Sequence, residues 1–166
     1  MNATSAVVKH FVIASDRSYE AVREALDEQL GKQADWKKIA QEMKTTNPEW
    51  KQISKIITRQ MGPSGFAVFS KIEFGPLLAL KGSPAKAVQY LIGNPLLALM
   101  MIERVPEAAL YVPLKLVLYE DPAGSVVIAW DSFASQLDQY PDPAIAPVAH
   151  LVEKKLGEMI AKVAAG

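Results

Sequence analysis

The densest apolar patterning of the chain lies between residues 86 and 130. There, Val88, Tyr90 and Ile92 alternate with Gln89 and Leu91 at the two-residue period of a largely buried strand. Gly93-Asn94-Pro95 stops that strand and starts a helix. The Asn94 side-chain oxygen can accept from an orphan N–H of the first turn, and Pro95 suits the first helical position, where its missing N–H costs nothing. The helix predicted from Pro95 to about Arg104 carries Leu96, Leu97, Leu99, Met100, Met101 and Ile102 all round its axis, so more than one side of it must be covered. It is too short to cross a bilayer. Two β-rich runs follow, 114–120 and 125–131, joined by Glu120-Asp121-Pro122-Ala123-Gly124, whose composition suits a tight reversal in a β-hairpin.

The remaining periodicities place further elements on either side. Residues 6–14, AVVKHFVIA, read as a first strand, with Lys9 and His10 on opposite faces and His10 without a nearby carboxylate in sequence. Ser18 caps a helix reaching Leu30, with Tyr19, Val22, Ala25, Leu26 and Leu30 on one face, and Gly31 ends it. Over 32–61, Asp35 caps a short helix bearing Trp36, Ile39, Ala40 and Met43. Asn47-Pro48 opens another, with Trp50, Ile53, Ile56, Ile57 and Met61 in helical register, so the segment is a helical hairpin. A Gly62-Pro63-Ser64-Gly65 turn leads to a strand over 66–74 whose Phe66, Ile72 and Phe74 are expected to face the core. Residues 75–85 read as a connection and 134–147, with three prolines, as an irregular crossing. A last helix from about Ala146 carries Val148, Leu151, Val152, Leu156, Met159, Ile160 and Val163 on one side and His150 on the other.

These elements predict one α+β domain over residues 1–166: a two-layer fold with a mainly antiparallel five-stranded sheet, helices packed on one face, and the helical hairpin inserted at about 32–61. Half of the 166 residues are apolar, enough for a real core. Lysine plus arginine equal aspartate plus glutamate, 18 against 18, so no global field draws the protein to nucleic acid or an anionic membrane. The absence of cysteine removes disulfides, thiolate metal sites and cysteine nucleophiles. With two histidines, His10 and His150, no metal site is expected within one chain, nor is any cofactor. The N-terminal run lacks a basic region and is interrupted by Lys9-His10, so no signal peptide is expected and a cytoplasmic location follows by default.

From Phe66 to Ser132, the chain carries a Y-x-x-G-N-P turn (Tyr90, Gly93, Asn94, Pro95), then an apolar helix. A strand led by Pro113 follows, ending Val117-Leu118-Tyr119-Glu120-Asp121, and then a Gly124 hairpin. In that order, and with the opening strand and Ser18-capped helix, the text resembles domain-of-unknown-function family 302 over about two-thirds of the chain. The resemblance implies a two-layer α+β domain, often paired with a second copy, and no established reaction, cofactor or catalytic residue. Where the family pattern has a small residue, often Cys or Ala, close to Asn-Pro, this chain has Ile92-Gly93, so no thiol role carries over.

Three functional classes stay open. The first is a binding module for an apolar or amphipathic small molecule, held between the sheet and the apolar helix and covered by the hairpin, with Trp36, Trp50, Tyr90, Asn94, Met100 and Met101 as candidate lining residues. Packing against protein is the plain alternative for each of them. The second is a structural or assembly protein, a homodimer in which a second copy covers the helix of 95–104. The third is an enzyme of unknown reaction: Glu73, Glu120, Asp121 and Asp131 are acid–base candidates, but no pair is spaced as a catalytic set, and there is neither a nucleophile elbow nor a phosphate loop. The hairpin of 32–61 holds seven basic residues against three acidic ones, which reads either as a solvated outer face, as a lid or partner surface, or as contact with nucleic acid.

Overall fold

The hairpin expected between Leu114 and Asp131 sits at the heart of the sheet in the computed structural model, which describes residues 3–31, 33–46, 48–83 and 85–166. Its strands are β4 (Leu114–Glu120) and β5 (Val126–Asp131). The turn between them is held by Asp121, whose Oδ1 accepts from the backbone N–H of Ala123 and Ser125, and by Gly124 at φ 86°. With β1 (His10–Ser15), β2 (Ala67–Glu73) and β3 (Ala87–Gly93) they form one five-stranded sheet in the order β1-β5-β4-β3-β2, antiparallel at every step. The α+β class and the five strands are those expected from the sequence.

One face of the sheet carries the core. Val88, Leu118, Ile128 and Ile13 lie side by side across four strands, as do Tyr90, Leu116, Trp130 and Phe11. Over them lie α1 (Tyr19–Leu30) and the long C-terminal helix Ile145–Ala165, burying Val22, Leu26 and Leu30 from the first and Val152, Leu156 and Ile160 from the second. Ser18 caps α1 as expected, accepting from the Ala21 N–H at 3.2 Å. Ser15 ties β1 to the C-terminal helix by donating to the Ala164 carbonyl at 2.7 Å. The opposite face carries Val12, Ala129, Val117 and Gln89 in one row and Ala14, Val127, Tyr119 and Ala87 in the next.

Five sequence-based expectations need correction. The first strand starts at His10 rather than at residue 6. Its partner β5 ends at Asp131, and Lys9 is drawn instead to the next segment, donating to Ser135 Oγ and accepting from the Ser132 N–H. That register also sets Asp131 opposite His10, its Oδ1 2.7 Å from His10 Nδ1, so the histidine does have a carboxylate beside it. Ile72 and Phe74 do not enter the core. A bulge between Val68 and Ser70 adds a residue, Phe69, and inverts the alternation beyond it, which sends Ile72 to the open face and Lys71 towards α1. Finally, the crossing of 134–147 is not wholly irregular. Ser132 caps a short helix, Phe133–Leu137, by accepting from the Ser135 N–H, and within the C-terminal helix Leu151 stays exposed.

Between α1 and β2 the chain makes the excursion expected of the hairpin, with α2 (Trp36–Thr46) and α3 (Trp50–Thr58). Asp35 caps α2 through the Lys38 N–H. Asn47 lies outside the described residues, and α3 is capped instead by a reciprocal Glu49–Gln52 box. The excursion opens and closes at one point. A Cβ on Gly62 would lie 2.3 Å from the Gln29 carbonyl oxygen and 2.4 Å from the Leu30 carbonyl carbon, so two stretches of backbone touch where only glycine fits. The short helix α4 (Gly75–Ala79) follows β2, α5 (Pro95–Ile102) follows β3, and a 3-10 helix (Pro106–Tyr111) leads into β4. The two C-terminal helices are α6 (Phe133–Leu137) and α7 (Ile145–Ala165).

Two glycines make opposite predictions. Gly62→Ala is expected to cost about 3 kcal/mol or more, the upper range for one substitution, because backbone on both sides must move. Gly157→Ala, inside α7 with no neighbour within 4 Å of the added methyl, is expected to stabilise by about 0.5–1 kcal/mol. The midpoints of urea denaturation check both.

Candidate functional site

The corner between β3 and α5 is built by one side chain. Asn94 Oδ1 accepts from the backbone N–H of Leu96 at 2.9 Å and of Leu97 at 3.3 Å, while its Nδ2 donates to the Gly65 carbonyl at 3.0 Å. The first pair of bonds caps α5. The third holds the Gly62–Gly65 turn, which α1 grips from the other side as Ser64 donates through both N–H and Oγ to the Gln29 carbonyl. Phe66, next in the chain, is thereby driven fully into the core.

Behind this corner lies a cavity of about 290 Å³. Phe66 and Phe69 wall it on the β2 side and Leu97, Ala98, Leu99, Met101 and Ile102 on the α5 side. Pro113 and Leu114 of the chain entering β4, Phe133 of α6 and Val152 of α7 complete the wall. The β2 bulge turns Phe69 towards this space, and Gly93 leaves room for it: a Cβ there would meet the Phe69 ring at 3.4 Å. The polar groups nearest the lining are already satisfied. Both ends of the Asn94 amide are used, and the Glu153 carboxylate accepts from the N–H groups of Phe133 and Ala134 at the start of α6. Such a wall can hold hydrocarbon and offers no side chain for chemistry on it.

A second polar cluster lies between α1 and the far end of the sheet. Asp27 accepts from Lys71 Nζ at 2.6 Å and from the Tyr90 hydroxyl at 3.0 Å, and Arg23 makes a two-toothed pair with Glu73. Lys86 bridges Glu20 and Glu120 at 2.7 and 3.1 Å. Burial, and then the neighbouring Asp27 carboxylate, push the Tyr90 phenol well above its ordinary range, so it stays protonated and acts as a donor pinning α1 to β3. Three of the four acid–base candidates are likewise tied to basic partners, Glu73 to Arg23, Glu120 to Lys86 and Asp131 to His10, while the fourth, Asp121, holds the β4–β5 turn. Among the described residues no group of three or more His, Asp or Glu side chains converges as a metal ion would require, and no helix is long and apolar enough to cross a membrane.

A family model described as domain of unknown function DUF302 matches residues 41–163. The chain belongs to that family. The fold is similar to that of a crystal structure of an uncharacterized conserved DUF302 protein from Bacillus stearothermophilus, with a TM-score of 0.64 and 18% identity over 93% of this chain and 97% of that one. Comparison with curated proteins gives no match.

The six residues singled out in the sequence separate into four groups. Asn94 and Met101 meet at the cavity wall. Trp36 stands one layer behind it, its ring stacked on Phe69 at 4.7 Å between centroids and its Nε1 donating to the Val68 carbonyl. Tyr90 is buried on the α1 side of the sheet, and Met100 and Trp50 face outward, 51% and 55% exposed. Sequence reasoning missed Phe66, Phe69, Phe133 and Val152 as neighbours. Phe69 reaches the site through a bulge, and Phe133 through a helix that a Ser132 cap followed by Phe-Ala would have signalled.

The double role of Asn94 predicts two different losses. Asn94→Ala is expected to cost about 2 kcal/mol, a lost cap plus an orphaned Gly65 carbonyl, and Asn94→Asp about 1 kcal/mol, since the cap survives and only the donor goes. No loss in Asn94→Asp on chemical denaturation would rule out the Gly65 bond, and equal losses for the two variants would rule out the cap.

Proposed function

We propose that the protein is a small binding module whose ligand is a molecule with an apolar body seated in the cavity behind Asn94. The observation that supports this is the cavity itself: about 290 Å³, walled by aromatic and aliphatic side chains from five different parts of the chain. That is close to the lower bound of ligand pockets, roughly 300 Å³, and about twice the cavity that takes up benzene. Leu99 and Met100, which a well-packed helix would hide, lie exposed beside it. With that reading we keep the cytoplasmic location expected from the sequence.

A test uses straight-chain alcohols of increasing length. Affinity is expected to rise about fourfold per methylene, near 0.8 kcal/mol each, until the cavity is full. Because Trp36 leans on Phe69, binding is expected to change the intrinsic fluorescence, and Trp36→Phe to abolish that change. Ala98→Phe is expected to fill the space, keep or raise the melting temperature, and remove binding. Unaltered affinity in that folded variant would reject the cavity as the site.

A specific observation also favours self-association, by a surface other than the one expected. Met101, at the centre of the helix proposed for dimer contact, is 1% exposed, and Leu99 belongs to the cavity wall, so α5 offers only a narrow strip. The open face of the sheet is broader. Val12 and Ile72 are 57% and 39% exposed at its two edges, Leu91, Val117, Tyr119 and Ala129 are half-buried between them, and none of these six belongs to the core. Five strands spaced about 4.8 Å apart and about 20 Å long give a footprint near 500 Å² on each copy, so two copies face to face bury on the order of 1,000 Å², the least that a specific interface needs. We assign this face to a second copy, related by a two-fold axis. Light scattering at micromolar concentration is expected to report a dimer, and Val12→Glu combined with Ile72→Lys a folded monomer. A wild-type mass of 18.1 kDa would end this second reading.

A further inference from the structure

We propose that the ligand of the cavity is an amphipathic anion, a carboxylate on an alkyl chain of about eight to ten carbons, and that Lys155 binds its head group. The proposal rests on the cavity reading above and adds the chemistry of the head. Lys155 is half-buried on α7, three residues past Val152 of the cavity wall, so the two side chains lie on neighbouring positions of one helix face. Its Nζ reaches the Gly65 turn, 3.4 Å from where a Cβ on Gly65 would stand. Gly65 is the residue whose carbonyl Asn94 holds, and its neighbour Phe66 lines the cavity. The ammonium therefore stands beside the Gly65 turn, whose next residue, Phe66, lines the cavity and whose carbonyl is held by Asn94, another lining residue.

Among the described residues Lys155 makes no ion pair, and the carboxylates nearest to it on α7 are engaged elsewhere: Glu153 with the N–H groups of Phe133 and Ala134, and Glu158 with Lys154 at 3.8 Å. A half-buried lysine whose ammonium stands one residue from the wall of a hydrocarbon-lined space matches an amphipath of opposite charge. The start of α5 at Asn94 adds a partial positive charge at the cavity wall. At roughly 30 Å³ per heavy atom, the 290 Å³ of the cavity takes a chain of about ten atoms.

The experiment titrates the full chain, by calorimetry below the micellar concentration, with decanoate, 1-decanol and decylammonium. Decanoate is expected to bind about tenfold or more tightly than decanol, as a charge-assisted hydrogen bond at a part-buried site warrants, and decylammonium more weakly than either. In Lys155→Met the advantage of decanoate is expected to vanish while decanol affinity is unchanged, and in Lys155→Arg most of it to remain. Equal affinity for decanoate and decanol, a preference for decylammonium, or a decanoate preference that survives Lys155→Met would overturn the head-group assignment and leave the cavity reading standing. No binding of any of the three, or binding that persists in folded Ala98→Phe, would remove the cavity reading, and this inference with it.

Discussion

Much of this structure depends on where the Asn94 amide goes. Three backbone groups without partners of their own, two at the start of α5 and one in the turn before β2, converge on a single side chain. Each would carry a desolvation cost of about 1–3 kcal/mol if buried and left unpaired. Because the oxygen serves the helix and the nitrogen serves the turn, the direction in which α5 leaves the sheet is coupled to the position of Gly65, and through it to Phe66 and the end of α1. The cavity is the space this coupling leaves. α5 is held at its N-terminal end by hydrogen bonds, and only Met101 of the helix is fully buried.

The close approach of Gly62 to the end of α1 works on the opposite side of the same turn. It allows α2 and α3 to leave and return without separating α1 from β2, and it brings Trp36 back against Phe69. Both tryptophans of the hairpin were legible in the sequence as apolar positions in helical register, yet one is stacked on the domain and the other faces solvent. No residue of α2 is fully buried and only Ile57 of α3 is. Periodicity reveals that a helix has an apolar face; it does not reveal how much protein stands opposite that face.

What was legible follows a physical division. Elements set by local chemistry were read to within a residue or two: the Ser18 and Asn94 caps, the Asp121–Gly124 turn, the alternation of β3, the length of α1. Features set by register between distant strands were not. The bulge at Phe69 inverts three later side chains, and nothing local in FAVFSKIEF distinguishes it from a plain strand; only pairing with β3 decides which residue is extra. The ion pair of Lys71 with Asp27 and the pair of His10 with Asp131 have the same origin, since both form across ladders or layers. Of the site, Asn94 and Met101 were visible because they belong to the cap and its helix, whereas Phe66, Phe69, Phe133 and Val152 come together only in three dimensions.

The two apolar surfaces left on the molecule differ in shape, and shape separates what they can receive. The cavity is concave, so a chain entering it touches wall on several sides, and its apolar lining loses water almost as a core would. The open sheet face has no such concavity. A small molecule resting on it would lose contact on only one side, so only a surface of comparable breadth gains enough from the contact to offset the cost of association. α7 sits behind the first, and the strands themselves form the second. Their exposed residues, Leu99 and Met100 on one side and Val12 and Ile72 on the other, are reached from opposite faces of the sheet, and substitutions at sites so separated act almost additively. Occupation of the cavity and pairing of the sheet face are therefore expected to add to the stability of the fold as separate terms, each depending on its own concentration, of ligand in one case and of the chain in the other.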